Sequence, residues 1–571
     1  MKNIPLYDVR KVKSIKEVLE TSTSLYAERT AFLNKRKGND TFDSITYKQF
    51  KTEVDALGTT LIDMGLKGGR IAIISENRYD WVLSYMAVVN GTGIVVPLDN
   101  QLPENEIESL LARSKADAII FSGNQREHVT NISKRIDFIK HYIDMDAQDV
   151  DDNGFIPLSS LVNKGLKLVE AGNKEFIDAE IDPEAMNILL FTSATTDTSK
   201  AVMLNHRNIT ENLMAMSSMT NIVPTDIFLS VLPLHHTYEN TCGFLCPFYR
   251  GAAVAFCEGL RHIAKNLQET KATVMLAVPL IHEAIYKRIW DQAAKDPKLL
   301  KKLKFGIKLS NLSKKFGIDI SRKLFAQIHN NFGGRLRLLI SGAAGIDPEV
   351  SKGFRSFGIL FIQGYGLTEC SPIVALNRDV DFKDEAAGLP LPGVEIRIDS
   401  PGEDGIGEIC VKGPNVMMGY YEDPENTAKV LKDGWFYTGD LGYMDNDKFV
   451  HITGRKKNVI VTKNGKNIYP EEVEVLLTRS PFIKECIVFG KDDPVFGDVV
   501  VSATIVPEME AVQAELGKSE PTYDEIYDLI RKEVKQVNKS LVVYQYVKDF
   551  SLREEEFAKT TTKKIKRYVK N

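Results

Sequence analysis

Hydroxyl side chains are concentrated in residues 191–206 (FTSATTDTSKAVMLNH), between an apolar run and the start of a predicted helix. The hydroxyls and the loop amides can donate hydrogen bonds, and Lys200 adds one point charge behind them. Such a set of donors suits a polyphosphate. The segment is not a Walker loop, because the pattern GxxxxGK[ST] is absent, and composition alone leaves a hydroxyl-rich surface loop open as the alternative.

Short β-branched runs alternate with helix-like stretches from about residue 70 to residue 365. This rhythm is typical of βαβ units, which form parallel sheets with helices on their faces. Ligands bind at the carboxyl ends of the strands in such sheets, which is where the hydroxyl-rich segment would lie. The runs that predict strands are 70–75, 118–121, 187–192, 227–232, 273–278, 337–341 and 359–362.

The pattern changes after residue 390, where shorter predicted strands such as 407–411 and 449–452 are separated by glycine and aspartate turns. We expect a β-rich subdomain there, with a boundary near Gly454. Residues 455–571 have their own predicted helices and strands and are long enough to fold as a mobile, lid-like α+β domain. The sequence therefore predicts an α/β protein with a large N-terminal domain (1–454) of parallel-type sheets and a smaller C-terminal domain (455–571).

Composition narrows the class of protein further. The 571 residues are 43% hydrophobic and 26% charged, which is ordinary for a globular chain and excludes disordered, collagen-like and coiled-coil structures. With 73 Lys and Arg against 77 Asp and Glu, the net charge of −4 gives no global field that would draw the chain onto nucleic acid. Six cysteines without CxxC spacing indicate buried free thiols, and a charged N-terminus without an apolar signal core indicates a cytoplasmic location.

A basic amphipathic segment at 298–315 carries seven lysines interleaved with leucine, isoleucine and phenylalanine. A segment of this kind either packs its apolar side on the protein as a solvated helix or makes a peripheral contact with a membrane. Both alternatives stay open at the level of sequence.

Seven motifs occur in the order known from the acyl-adenylate-forming, or AMP-binding, superfamily, and they cover nearly the whole chain. The segment 191–206 resembles that family's phosphate loop, TSGTTGxPKG. The other six are 232–239 (LPLHHTYE), 341–344 (SGAA) with 363–369 (QGYGLTE), 437–440 (YTGD), 454–457 (GRKK), 463–474 (KNGKNIYPEEVE) and 559–567 (KTTTKKIKR). The form of 232–239 and an insertion at 280–330 look most like the bacterial long-chain fatty-acid–CoA ligases.

The resemblance implies a reaction that joins a fatty acid to the α-phosphate of ATP, expels pyrophosphate, and transfers the acyl group to coenzyme A (CoA). Its implied catalytic residues are Lys564, Glu369, Thr368 and His236, with Glu369 as a ligand of Mg²⁺ because hard oxygen donors suit that ion. The implied nucleotide- and CoA-binding residues are Thr192, Ser193, Thr195, Thr196, Lys200, Gly342, Ala343, Ala344, Tyr365, Gly366, Asp440, Arg455 and Gly465.

Each implied role has a physical basis. Tyr365 offers a flat face for adenine, Asp440 can accept two hydrogen bonds from the ribose hydroxyls, and Arg455 can reach ribose or phosphate. Lys564 would contact both the substrate carboxylate and the α-phosphate, where its charge offsets the charge that develops during adenylation. By the same resemblance, His236 would position or gate the attacking thiol, and a packed core histidine is its alternative.

Delivery of Lys564 requires movement, so we expect the C-terminal domain to turn about Lys457 between two poses. One pose would place Lys564 in the site, and the other would present the Gly465 loop to the pantetheine thiol. Two alternatives remain: a ligase that loads acyl carrier protein, and a catalytically impaired acyl- or nucleotide-binding protein. The second is suggested by Ala194, Asp197, Ser199 and Ala201, which stand where the family has glycines and a proline.

Overall fold

The computed structural model of the protein describes residues 5–35, 39–192, 199–462, 466–492, 499–560 and 564–567. Its helices are α1 (Ile15–Tyr26), α2 (Tyr47–Asp63), α3 (Tyr79–Ala87), α4 (Glu104–Ser114), α5 (Arg126–Ser133), α6 (Leu158–Glu170), α7 (His206–Ser217), α8 (Cys246–Arg250), α9 (Ile263–Thr270), α10 (Pro279–Ala294), α11 (Pro297–Lys315), α12 (Ser321–Leu324), α13 (Ala326–Asn331), α14 (Pro348–Ser356), α15 (Pro424–Val430), α16 (Pro470–Leu477), α17 (Met509–Leu516) and α18 (Tyr523–Asn538).

The strands are β1 (Thr30–Asn34), β2 (Asp43–Thr46), β3 (Gly69–Ile74), β4 (Gly93–Pro97), β5 (Ala118–Phe121), β6 (His141–Asp144), β7 (Ile156–Pro157), β8 (Met186–Thr192), β9 (Lys200–Asn205), β10 (Ile227–Ser230), β11 (Ala253–Phe256), β12 (Val274–Ala277), β13 (Leu338–Ser341), β14 (Leu360–Gly366), β15 (Ile373–Leu376), β16 (Leu389–Pro390), β17 (Glu395–Asp399), β18 (Gly407–Lys412), β19 (Gly419–Tyr420), β20 (Leu431–Lys432), β21 (Trp435–Met444), β22 (Val450–Arg455), β23 (Ile460–Val461), β24 (Asn467–Ile468), β25 (Ile483–Asp492), β26 (Val499–Pro507) and β27 (Val547–Leu552).

The chain divides into two compact units. The first contains Met1–Glu395 and Lys412–Gly434, and the second contains Ile396–Val411 and Trp435–Asn571. The boundary after Gly454 that the sequence predicts stays a prediction.

The first unit is built on two large sheets. Over the described residues, one sheet has the strand order β16-β15-β14-β13-β12-β10-β11-β1-β2, and the other has the order β19-β9-β8-β4-β3-β5-β6-β7. Strands in the middle of both sheets are parallel, whereas β15, β16, β2, β9 and β19 are added antiparallel at the edges. Central strands such as β5 and β12 are buried at every position, because helices cover both faces of a parallel sheet. The α/β class predicted from the alternating runs is confirmed.

The second unit combines antiparallel strands with a small α/β core. Strand β21 pairs antiparallel with β18 and with β22. In the C-terminal part, β26 pairs antiparallel with β25 and parallel with β27. Apolar side chains of α16 and α18, including Val473, Leu477 and Ile530, form one buried cluster with the sheet residues Val488 and Ile505.

Several smaller expectations can also be compared with the structure. All six cysteines are unpaired thiols as expected; five are buried and Cys257 is partly exposed. Helix α17 buries Val512. Among the described residues, none of the helices combines the length and the apolar run that crossing a bilayer requires.

Candidate active site

Three strands of the nine-stranded sheet carry predicted site residues at or just after their carboxyl ends. Strand β13 lies between β14 and β12, with β10 next to β12, and these four strands are parallel to one another. The segment with His236 follows β10, residues 342–344 follow β13, and residues 365–369 end and follow β14. Because neighbouring parallel strands end at the same edge, one edge of the sheet gathers residues that are far apart in sequence.

Lys200 and Glu369 meet at one side chain, Tyr420. The Tyr420 hydroxyl donates a hydrogen bond of 3.0 Å to Oε1 of Glu369, and the Lys200 ammonium lies 4.5 Å from the centroid of the Tyr420 ring. Burial, and then the Glu369 carboxylate, raise the pKa of the Tyr420 phenol, so Tyr420 remains a donor at neutral pH. Tyr420 thus contacts a cation at its ring face and a carboxylate at its hydroxyl, in an arrangement suited to a phosphate with a divalent cation.

Tyr420 was not among the residues predicted from the sequence. It lies in β19, which pairs with β9, the strand that begins at Lys200. The short run Gly419-Tyr420-Tyr421 before helix α15 was the only local signal, and a run of this kind does not by itself indicate a site.

Hydrogen bonds from other elements also fix the start of β9. Arg113 donates hydrogen bonds to the hydroxyl of Ser199 (2.9 Å) and to its carbonyl oxygen (2.7 Å). Thr192, at the end of β8, donates a hydrogen bond of 3.4 Å to the carbonyl of Lys200. The predicted phosphate ligands Ser193, Thr195 and Thr196 lie outside the described residues.

The segment 232–239 is anchored to the rest of the first unit through Asn77. Its amide donates to the Leu232 carbonyl (2.6 Å) and accepts from the Leu234 amide (3.0 Å). Within the segment, Nδ1 of His236 accepts a hydrogen bond of 3.2 Å from the Tyr238 amide, which places the proton of a neutral ring on Nε2. The Thr237 hydroxyl lies 3.5 Å from that of Thr368, so this segment and the 363–369 segment are adjacent.

Two glycines permit close packing around the ends of β13 and β14. A Cβ on Gly342 would lie 2.8 Å from the Tyr238 ring, and a Cβ on Gly366 would lie 2.0 Å from the Pro372 carbonyl oxygen. Ala343 has a φ of +74°, a left-handed conformation that costs an alanine roughly 1 kcal/mol. Tyr365 is buried in β14, Ala343 is half-buried, and Ala344 is exposed.

The segment 232–239 ends in a buried carboxyl group, Glu239. Neither of its oxygens makes a hydrogen bond of good geometry within the described part of the chain. Burial raises the pKa of Glu239 to about 8, with Ser230 and the Leu232 backbone opposing the shift. The group is therefore mostly uncharged at neutral pH.

Glu239→Gln should stabilise the protein relative to wild type at alkaline pH. The folded-state pKa of Glu239 lies above its unfolded value of about 4.3, so its favourable contribution is complete below that value and is lost as pH rises through about 8. The expected change is about 1.4 kcal/mol per pH unit within that window. The measurement is the unfolding temperature of both proteins between mildly acidic and alkaline pH, with exposed Glu425→Gln as the control. A difference between Glu239→Gln and wild type that does not vary with pH contradicts the prediction.

A small cavity lies beside the same segment. Its volume is about 10 Å³, and it is lined by Tyr85, Pro97, Ile188, Leu190, Ile209, His235, Thr237 and Asn240. Small-molecule pockets usually measure roughly 300–1,000 Å³, so this cavity is too small to be assigned to a long acyl chain.

In the second unit, Asp440 and Arg455 face each other across β21 and β22. Nε of Arg455 lies 2.8 Å from Oδ1 of Asp440, and the two residues are partners in the antiparallel register. Asp440 is 5% exposed, and its backbone amide donates a hydrogen bond of 3.0 Å to the Thr438 hydroxyl oxygen. The hairpin thus fixes a buried carboxylate, a group that accepts hydrogen bonds from hydroxyls, beside a partly exposed guanidinium.

Lys564 is held between two anchored residues of the C-terminal segment. Before Lys564, Lys559 forms an ion pair with Glu485 and an isolated antiparallel β-bridge with Ile565. After Lys564, Arg567 forms an ion pair with Glu474. The Lys564 residue is exposed, yet desolvation of its ammonium and then the Arg455 charge lower the pKa of Lys564 to about 8, while Asp440 opposes them. Gly465, the predicted entry point for the thiol, lies outside the described residues.

The predicted site residues therefore form two groups. The first unit brings together Lys200, Glu369, Thr368 and the His236 segment, and the second unit brings together Asp440, Arg455 and Lys564.

Two family descriptions match the chain. Residues 19–421 match the family described as AMP-binding enzyme, and residues 457–568 match the AMP-binding enzyme C-terminal domain. The chain belongs to the AMP-binding enzyme family, which confirms the resemblance inferred from the seven motifs.

Similar proteins include the long-chain-fatty-acid–CoA ligase 1 of Homo sapiens, 30% identical over 84% of this chain and 72% of the relative. Fatty acyl-CoA synthetase A of Dictyostelium discoideum is 28% identical over 99% of this chain and 89% of the relative. Among solved structures, the anthranilate CoA ligase AuaEII in complex with anthranoyl-AMP superposes with a TM-score of 0.77 at 19% identity, covering 99% of this chain and 97% of that one. This last likeness concerns the fold alone.

Proposed function

We propose that the protein activates a long-chain fatty acid with ATP and transfers the acyl group to CoA. The carboxylate oxygen attacks the α-phosphorus, the bond from that phosphorus to the bridging oxygen breaks, and pyrophosphate leaves. The thiol sulfur then attacks the acyl carbon and its proton passes to solvent, while the bond from that carbon to the phosphate oxygen breaks and AMP leaves with the bonding electrons. The observation that carries the proposal is the contact of both Lys200 and Glu369 with Tyr420, in a chain whose relatives bear the names of fatty acyl-CoA ligases.

The first group of residues would bind the phosphates. Lys200 supplies a positive charge beside the hydroxyl-rich loop, and Thr368 can donate a hydrogen bond to the α-phosphate from the turn after β14. Glu369 would hold Mg²⁺ together with phosphate oxygens, since that ion usually takes one or two carboxylates and completes its shell with phosphate and water. When bound, the ion would offset the negative charge of the triphosphate.

The second group would bind the ribose and complete adenylation. Asp440 accepts hydrogen bonds from the ribose hydroxyls, and Arg455 orients that carboxylate through the 2.8 Å pair. Lys564 donates to the substrate carboxylate and the α-phosphate as charge develops between them. Tyr365 would provide a face for adenine, with residues 342–344 along its edge.

His236 and Gly465 would act in thioester formation. Protonated at Nε2, His236 can position the acyl carbonyl or the incoming thiol, and Gly465 would leave room for the pantetheine chain. CoA is the proposed acceptor, and acyl carrier protein is the alternative. The proposed location is the cytoplasm, and a peripheral contact with a membrane belongs to the same proposal because long-chain fatty acids partition into bilayers.

Release of pyrophosphate tests the proposal. The purified chain, ATP and Mg²⁺ are mixed with acids of increasing chain length, with acetate and anthranilate included. We expect release that requires an acid and is greatest with long-chain fatty acids, followed by thioester formation when CoA is added. Lys564→Ala serves as the control for contaminating activity.

The same assay separates the alternatives. A thioester that forms on acyl carrier protein and not on CoA would change the acceptor. If ATP raises the unfolding temperature but no acid yields pyrophosphate or a hydroxamate, the protein is a silent binder and the proposal is wrong.

A further inference from the structure

Helix α11 has one face fixed on the first unit. Leu303, Gly306 and Ser310 are its buried residues, and their spacing of three and four places them on one side of the helix. The Ser310 hydroxyl donates a hydrogen bond of 2.8 Å to the Ser356 carbonyl. A Cβ on Gly306 would approach the Phe325 ring to 3.1 Å, so the helix packs closely there. The rotation of α11 about its axis is thus set by its contacts with the protein.

The opposite face is apolar at its centre. Phe305 is 67% exposed, Leu312 is 53% exposed, and Phe316, directly after the helix, is 75% exposed. Their spacing of seven and four residues places them in one stripe along the outward side. A helix that is merely solvated has polar residues at this position, whereas here large apolar groups face outward.

Lysines flank this stripe. The helix carries seven lysines and neither aspartate nor glutamate over Pro297–Lys315. At about 100° per residue, Lys301, Lys308 and Lys315 lie along one side of the stripe and Lys302 lies on the other, and all four are exposed. Lys314 turns inward instead, donating to the Arg355 carbonyl and lying 3.8 Å from Asp319.

We propose that the outward face of α11, extended by Phe316, is a docking surface for membranes that contain anionic phospholipids. An apolar stripe between rows of lysines is the pattern of a helix that lies in the plane of a membrane interface. The lysines are complementary to acidic head groups, and the phenylalanines and leucine can enter the acyl boundary. The whole chain has a net charge of −4, so the attraction is local to this face. The proposal rests on the peripheral membrane contact named in the proposed function and gives it a surface, but its test uses neither ATP nor a fatty acid, so its failure would leave the proposed reaction untouched.

Co-sedimentation of the full chain with vesicles tests this surface. The vesicles are phosphatidylcholine alone, or phosphatidylcholine with about one-third phosphatidylglycerol, at about 0.1 M and about 1 M salt. Two variants address the two components: Phe305→Ser with Leu312→Ser for the apolar stripe, and Lys301→Glu with Lys308→Glu and Lys315→Glu for the charge. The matched control reverses three exposed lysines elsewhere, Lys134, Lys167 and Lys174.

We expect binding to the anionic vesicles at low salt that falls at least about tenfold at high salt, on neutral vesicles and in both α11 variants. The control should bind within about twofold of wild type. The proposal is overturned if wild type binds both vesicle types equally, if either α11 variant binds like wild type, or if the control loses as much as they do. Sedimentation analysis without lipid tests whether a second copy of the chain binds this face instead. A dimer that the α11 variants abolish, together with no vesicle binding, would overturn the proposal and make this face a contact between copies of the chain.

Discussion

Lys564→Ala is expected to slow acyl-adenylate formation by about 10²–10³-fold, while the same variant still converts supplied acyl-AMP to thioester within a few-fold of wild type. The ammonium offsets charge that develops only when the carboxylate meets the α-phosphate, so its loss affects the first half-reaction. The measurement is single-turnover pyrophosphate release, compared with thioester formation from preformed acyl-AMP.

The pH dependence gives a second readout for Lys564. Its pKa of about 8 means that the ammonium is present below that pH and is lost as pH rises through it. Adenylation should therefore decline on the alkaline side, and Lys564→Arg should move that decline to higher pH because a guanidinium stays charged.

Lys566 provides the matched control, since it is an exposed lysine in the same basic run. Lys566→Ala should leave both half-reactions within about twofold, as expected of surface substitutions away from a site. Equal losses in both half-reactions for Lys564→Ala would contradict the hypothesis that each half-reaction uses its own pose of the C-terminal domain. A loss confined to Lys566→Ala would assign the role to that lysine instead.

Glu369→Gln is expected to lower kcat/KM for adenylation by about 10²–10³-fold and to raise the Mg²⁺ concentration needed for half-maximal rate. A glutamine keeps the shape of the side chain and can still accept a hydrogen bond from Tyr420, but it loses the charge that attracts a divalent cation. The measurement is the initial rate of pyrophosphate release as Mg²⁺ is varied at fixed ATP.

Two further variants calibrate that result. Tyr420→Phe removes the 3.0 Å hydrogen bond to Glu369 but keeps the ring under Lys200, so a loss of about tenfold is expected. Glu425→Gln changes an exposed carboxylate close to Tyr420 in sequence and should have no effect on the rate of pyrophosphate release. An unchanged Mg²⁺ dependence in Glu369→Gln would remove Glu369 from the metal site.

Sequence reasoning predicted the sheets well where a strand is buried on both faces, because such a strand must be apolar throughout. The run 118–121 coincides with β5, and the run 227–232 overlaps β10 (Ile227–Ser230). The run 359–362 underestimates β14 (Leu360–Gly366), since that strand continues into the less apolar residues Gly364–Gly366, which pair with β15.

The candidate site was predictable only where residue types form a local pattern. Glu369 and Lys200 lie in segments that chemistry singles out, whereas Tyr420 meets Glu369 across 51 residues of sequence. No periodicity encodes a contact of that kind, because it depends on how two sheets are placed in space. The nature of α11 as a basic amphipathic helix was readable from its spacing, but the outward direction of Phe305 required the structure.

The hydrogen bond from Tyr420 to Glu369 joins the two large sheets of the first unit, since β19 is an edge strand of one and Glu369 follows β14 of the other. A triphosphate bound by Lys200 and Glu369 would therefore link two sheets that have no strand pairing with each other among the described residues. Movement of one sheet relative to the other would separate Lys200 from Glu369 before either sheet unfolded. On heating, nucleotide affinity should therefore fall before the secondary structure is lost.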